Sequence, residues 1–185
     1  PPGISFNAIS DKALAAYKNS KLPKSYFDWG QMLENNKNGF YPYTPAVNLL
    51  YALNEAVDML LEEGLENVFK RHKRHADATR IAVETWGLEI LAKNPIERSD
   101  SITAIMVPDG HDSDNLRKII YDNYNMSLGT GLNKVKGKVF RIGHLGDLND
   151  LTLAGTLSGV EMGLKQSGIP FKKGGIMAAL DFLSK

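Results

Sequence analysis

Two groups of residues in this sequence have the types and spacing to hold an anion. The first is a single arginine, Arg141, inside the apolar run Val139-Phe140-Arg141-Ile142. An arginine on a rigid strand can grip a carboxylate through two parallel, charge-assisted hydrogen bonds, because its planar fork matches the carboxylate. Alternation along a strand places Val139, Arg141 and Gly143 on one face and Phe140, Ile142 and His144 on the other. Phe140 and Ile142 can then anchor the strand while the guanidinium points away from them. Gly137, Gly143 and Gly146 bracket the run and allow backbone or ligand to come close. The same arginine could equally be one half of a surface cross-strand pair. The second group is Tyr41 and Thr44. Thr44-Pro45 reads as a helix start, with threonine at the cap and proline at the first helical position. Free N–H groups and the positive end of the helix dipole would favour a phosphate there, beside the two hydroxyls. A loop tyrosine and a plain helix cap would give the same pattern.

Other motifs fail on their spacing. The stretch from Gly129 to Lys138 is rich in glycine and lysine, but it is one residue too long for a phosphate loop. Val139 also stands where a magnesium-binding serine or threonine is required. His72 and His75 lie one turn apart in the basic run Lys70 to His75, which suggests a metal pair or a basic patch. Their neighbours are positive and no carboxylate is close in sequence, so the expectation is a solvated helix face. There is no HExxH, no G-x-S-x-G and no EF-hand loop. The residues alone therefore supply binding groups and no catalytic one.

Composition narrows the class. With 185 residues, 43% apolar and 23% charged, the chain can bury a core of ordinary globular size. A net charge of +1 gives no field to recruit nucleic acid or an anionic membrane. The absence of cysteine removes thiolate chemistry and disulfides. No apolar run reaches transmembrane length and no signal-peptide pattern opens the chain, so a cytoplasmic protein is expected. The start, Pro1-Pro2-Gly3 without a methionine, reads as if cut from a longer chain.

The elements that must position these residues follow from periodicity. Ile4 to Ile9 alternates with period two and is expected to be a strand. A short helix capped by Ser10 or Asp11 runs to about Lys18. Residues 20 to 40 read as a long loop with a helical turn near Trp29 to Leu33. A helix begins at Thr44-Pro45 and carries Leu50, Leu53, Val57, Leu60 and Leu61, and a second runs from Leu65 to Trp86 and stops at Gly87. Beyond it, strands are expected at Leu88 to Leu91, Ser101 to Val107, Met126 to Leu128 and Lys138 to His144. Helices are expected after Asp112 or Ser113, after Asp147 or Asn149, and from Gly175 to Leu183. This order implies a small α+β domain with helices on one face of a mainly antiparallel sheet.

The segments PPGISFNAISDKA, FYPYTPAVNLLYALNEA, EEGLENVFKRH and LGTGLNKVKGKVFRIGHLGDLNDL together resemble the C-terminal half of a class V aminotransferase. The resemblance spans essentially the whole chain and is closest within the alanine/serine–glyoxylate group. The final stretch, GVEMGLKQSGIPFKKGGIMAALDFL, favours the serine–glyoxylate branch. It implies an α/β fold: the C-terminal portion of a fold-type I transferase that uses pyridoxal 5'-phosphate. Residues 1–63 would be the end of the large cofactor-binding domain, and 64–185 the small domain. The arginine of the family's K-V-x-R-I-G segment falls on Arg141, where it binds the substrate's α-carboxylate. The Y-x-x-T-P loop falls on Tyr41 and Thr44; in the family these positions reach the cofactor phosphate in the neighbouring subunit, so the resemblance implies a homodimer. The resemblance also implies that the Schiff-base lysine, the aspartate at the pyridine nitrogen and the stacking aromatic lie upstream of the position of Pro1. The chain alone would then be inactive and would need the N-terminal half of the same protein. The small-molecule partners would be an amino acid, serine or alanine, and a 2-oxo acid, glyoxylate. A rival reading is a non-catalytic binding or interaction module that keeps the small-domain fold. A nucleic-acid binder using the Lys70–His75 helix is the third.

Overall fold

In the computed structural model, which describes residues 3–185, several helices begin where a polar side chain accepts a free N–H. Ser10 accepts from Ala13 N (3.3 Å) and starts α1, Asp11–Asn19. Asp28 accepts from Gly30 and Gln31 N and starts α2, Trp29–Asn36. The Asp28 carboxylate also takes the Tyr17 hydroxyl at 2.6 Å, which holds its pKa below the ordinary value. The region read as a loop with one helical turn thus contains a two-turn helix, because Asp28 supplies a cap. The next helix, α3, spans Val47–Glu63. The chain falls into two units, Pro1–Glu63 and Gly64–Lys185. Pro1 and Pro2, part of the expected start, lie outside the described residues.

Two expectations in the first unit need correction. Ile4 to Ile9 forms no ladder, and among the described residues the first unit has no strand with which it could pair. Period-two alternation marks the side-chain pattern of a strand but not the partner that makes one. Phe6 is accordingly exposed. Thr44 is not a helix cap, since α3 begins at Val47. The first carbonyl to accept helical N–H groups is that of Ala46, two residues beyond Thr44, so the Thr44 hydroxyl lies ahead of the first turn. The Val47 N–H then turns back to Pro45 O (2.9 Å), and the first i to i+4 bond runs from Leu50 N to Ala46 O (3.1 Å).

The second unit is built on a four-stranded antiparallel sheet, β1 (Glu89–Ile90), β2 (Ile102–Met106), β3 (Gly129–Thr130) and β4 (Val139–Gly143), in the order β1-β2-β4-β3. Its helices are α4 (Leu65–Trp86), α5 (Ser113–Tyr124), α6 (Asp150–Ser167) and α7 (Gly175–Leu183). Asp112 caps α5 and Asn149 caps α6, each accepting a first-turn N–H. Gly87 ends α4 at φ +76°, with Leu88 N returning to Val83 O (3.1 Å), a Schellman closure.

The sheet buries one face. Phe140, Ile142 and Ile105 project from it into a core with Ala82, Leu116, Ile120, Leu153 and Leu157, all fully buried. Burying side chains of this size contributes roughly 1.5–3 kcal/mol each. Helix α7 lies close on α4 because Gly175 has no side chain: a Cβ there would sit 2.3 Å from Trp86 Nε1. Glu161 of α6 accepts the indole N–H of Trp86 at 2.6 Å, tying α4 to α6. Among the described residues no helix is long and apolar enough to cross a membrane.

Candidate functional site

Arg141 occupies the middle of β4, between Ala104 of β2 and Gly129 of β3. Phe140 and Ile142 on either side of it are buried in the core, so alternation puts Arg141 on the face away from the helices. It is half-buried. Its Nε is buried and meets no acceptor. Arg71, Arg74, Arg80, Arg98 and Arg117 each donate to a carboxylate or a carbonyl, so among the described arginines Arg141 stands without a partner. A buried guanidinium N–H without an acceptor costs on the order of 1–3 kcal/mol, which a bound carboxylate would return.

What keeps Arg141 free of partners is its neighbours. Ala104 and Gly129, directly opposite it in the two ladders, offer no carboxylate and no side-chain acceptor. The cross-strand ion pair that the sequence left open is therefore absent. Gly129 forms a floor under the arginine: a Cβ built there would lie 3.0 Å from Arg141 Cβ and 3.0 Å from its Nε. Sequence reasoning missed Gly129, reading it as part of a failed phosphate loop and ending the preceding strand at Leu128. The ladder instead begins at Gly129, while Leu128 is buried and its carbonyl is taken by Arg117 Nε at 2.8 Å. A glycine inside a strand, which marks close approach of another group, was the available signal.

Tyr41 and Thr44 sit in the first unit, in the segment between α2 and α3. Both are exposed, and neither hydroxyl has a hydrogen-bond partner among the described residues. The segment is held at its base by Phe40, whose N–H donates to Asn35 O (3.0 Å) and whose carbonyl accepts from Asn36 Nδ2 (2.9 Å). At its centre the Tyr43 ring packs on Tyr26 with centroids 4.8 Å apart. Two free hydroxyls three residues apart match a phosphate oxygen in kind. The expected helix dipole contributes less, because Val47 and Leu49 N–H already donate to Pro45 and Ala46 carbonyls.

The basic run on α4 departs from expectation. His75 is fully buried rather than solvated, with Nε2 2.9 Å from Asp150 Oδ1. Arg74 reaches the same oxygen at 2.5 Å and also donates to the Leu183 carbonyl. Arg74 first, then His75, holds the Asp150 carboxyl below the ordinary range. Sequence proximity hid this carboxylate, which arrives from the first turn of α6, seventy-five residues on. His72 points elsewhere, with Nδ1 on Val68 O and Nε2 accepting from Gly146 N. Among the described residues no three His, Asp or Glu side chains converge on a metal position. A groove of about 460 Å³ runs past Lys70, Arg74, Asp150 and Leu151, away from Arg141.

No family profile matches the chain. It is 47% identical to a serine–glyoxylate aminotransferase of Methylorubrum extorquens over 99% of its own length and 47% of that protein's. It is 49% identical to the serine–glyoxylate aminotransferase of Arabidopsis thaliana, covering 99% of the chain and 46% of the relative. Among solved structures, it superposes on pyridoxamine-pyruvate aminotransferase from Mesorhizobium loti with a TM-score of 0.85 at 30% identity, covering 95% of this chain and 46% of that one. The chain spans about half the length of the relatives it matches.

Proposed function

We propose that this chain is the counterpart of the C-terminal half of class V aminotransferases of the serine–glyoxylate group and supplies the substrate-carboxylate grip of such an enzyme. The complete protein would move an amino group from serine (or alanine) to glyoxylate, giving hydroxypyruvate (or pyruvate) and glycine. Residues 1–63 would close the large cofactor-binding domain, and 64–185 would be the small domain. The observation that carries this reading is the buried, unpartnered Nε of Arg141 on a strand whose neighbours offer it nothing.

Each residue then has a defined task. Arg141 would take the α-carboxylate of the amino acid in one half-reaction and of the 2-oxo acid in the other, fixing both in one orientation. Pyridoxal 5'-phosphate, when bound, supplies the electron sink that lets the amino group change carrier. Tyr41 and Thr44 would donate to its phosphate, in the partner subunit of a homodimer, as their free hydroxyls permit. The lysine, aspartate and aromatic that the resemblance assigns to the cofactor ring fall in the half of the relatives this chain does not span.

A chimaera tests the reading as a whole. These residues, fused behind the N-terminal half of the Methylorubrum extorquens relative, should convert serine and glyoxylate to hydroxypyruvate and glycine. A folded, cofactor-loaded chimaera without transamination would leave the chain as a binding module only.

A further inference from the structure

Strand β3 is only two residues long and lies at the edge of the sheet, so two rungs of ladder must set Gly129 opposite Arg141. So short an edge strand is weakly held by its own backbone bonds. The structure provides a second hold from α5. Thr130 Oγ1 donates to Asp114 Oδ1 at 2.9 Å. Arg117 bridges the same carboxylate (2.9 Å) and the Leu128 carbonyl (2.8 Å), the residue on the other side of Gly129. Gly129 is thus pinned from both flanks. The start of α5 is in turn fixed to β4, since Ser113 Oγ donates to Val139 O (3.0 Å) and Ser113 N to Gly137 O (2.9 Å). The strand that carries Arg141 and the strand beneath it are therefore referenced to one helix turn. The Thr130 hydroxyl, followed by the Arg117 guanidinium, holds the Asp114 carboxyl below its ordinary range.

We propose that Thr130, Asp114 and Arg117 are positioning residues for Arg141: they press the glycine floor against its stem and so present the carboxylate fork in a single geometry. The stem has no slack, because even one added methyl at Gly129 would sit 3.0 Å from Arg141 Cβ and Nε. Release of the floor lets the guanidinium swing, and misplacement of a positioning group by a fraction of an ångström is expensive for a bound substrate. This inference rests on the assignment of Arg141 as the carboxylate grip.

The test uses the complete, cofactor-loaded protein, with steady-state kinetics beside calorimetric binding of 3-hydroxypropanoate, which offers serine's carboxylate and hydroxyl without its amino group. Thr130→Val and Gly129→Ala should each raise KM for amino and 2-oxo acid and weaken 3-hydroxypropanoate by about tenfold, with kcat changed far less. Thr130→Ser should restore the parent values. In an Arg141→Ala background, Thr130→Val should add nothing, the coupling expected when one residue acts through the other. If Arg141→Ala alone leaves carboxylate binding intact, the grip assignment fails. If Arg141→Ala abolishes binding while Thr130→Val and Gly129→Ala fold and bind as the parent does, the grip stands and the positioning claim is overturned. An equal loss from Thr130→Val with and without Arg141 also overturns it, as a general structural effect.

Discussion

Helices α3 and α4 follow one another with only Gly64 between them, yet they differ completely in burial. Helix α3 has no buried residue, although it is rich in leucine and carries Val57, Met59, Leu60 and Leu61 at its surface. Helix α4 is dense in charge, yet Ala76, Ala78, Ala82, Val83 and Trp86 along it are fully covered. The more apolar helix is the exposed one. Partners, not composition, decide the difference: α4 packs under α7, α6 and the sheet, while the described residues of the first unit include no sheet and no buried core. A helix without a covered apolar face relies on propensity alone, which is marginal at this length. The two candidate binding elements divide the same way, with Arg141 on a strand backed by a packed core and Tyr41 and Thr44 on an exposed segment.

Hydrogen exchange on residues 1–185 by themselves should show the largest contrast. Amides of α4 from Ala76 to Trp86 should be protected at least about a thousandfold more than those of α3. Equal protection in the two helices would show that α3 is held by contacts this structure lacks. Truncation sharpens the same comparison. Phe140→Ala in the core should cost roughly 3–5 kcal/mol in a denaturant titration. Phe40→Ala, at a side chain 68% exposed, should stay within about 0.5 kcal/mol. Similar costs would mean that burial does not rank the two units.

Acid should act on the second unit through His144. Its ring is fully buried, with Nδ1 3.1 Å from the Asp100 carbonyl and Nε2 2.8 Å from Thr103 Oγ1. A carbonyl can only accept, so Nδ1 carries the proton and Nε2 accepts from threonine. Burial lowers its pKa from 6.5 to about 4. The unfolded chain therefore binds this proton first as pH falls, and the stability contributed by the neutral ring is complete above pH 6.5. It is lost progressively towards pH 4, on the order of a few kcal/mol. His144→Gln should flatten that part of the stability profile, and an unchanged slope would assign the acid sensitivity elsewhere. Tyr41→Phe with Thr44→Val should loosen the cofactor of the complete protein by roughly tenfold to a hundredfold, the worth of one or two exposed hydrogen bonds to a phosphate. Unaltered cofactor affinity would remove both hydroxyls from the phosphate site.

How much of this was legible in the sequence depended on whether the deciding contact was local. The caps read as Ser10 or Asp11, Asp112 or Ser113 and Asp147 or Asn149 fall on Ser10, Asp112 and Asn149, and the glycine stop at Gly87 and the face of Arg141, which also follow from neighbours a few residues apart, match the structure. Ile4 to Ile9 failed because a strand is defined by a partner, which alternation does not report. His75 failed because its carboxylate comes from another helix. Thr44 failed more narrowly: the Thr-Pro pair suits a helix start, but the Val47 N–H turns back to Pro45 O and the helical bonds begin at Ala46 O. The floor at Gly129 was hidden for the same reason as Asp150: a glycine acquires meaning only opposite the side chain that needs its space.

The central claim is that Arg141 grips the substrate carboxylate, and kinetics of Arg141→Ala and Arg141→Lys in the complete, cofactor-loaded protein test it most directly. Two charge-assisted hydrogen bonds are worth roughly 3–6 kcal/mol, so the alanine variant should lose several orders of magnitude in kcat/KM while the cofactor stays bound. Lysine should recover only part, since an ammonium cannot reproduce the fork. An alanine variant with the parent's kcat/KM would contradict the account.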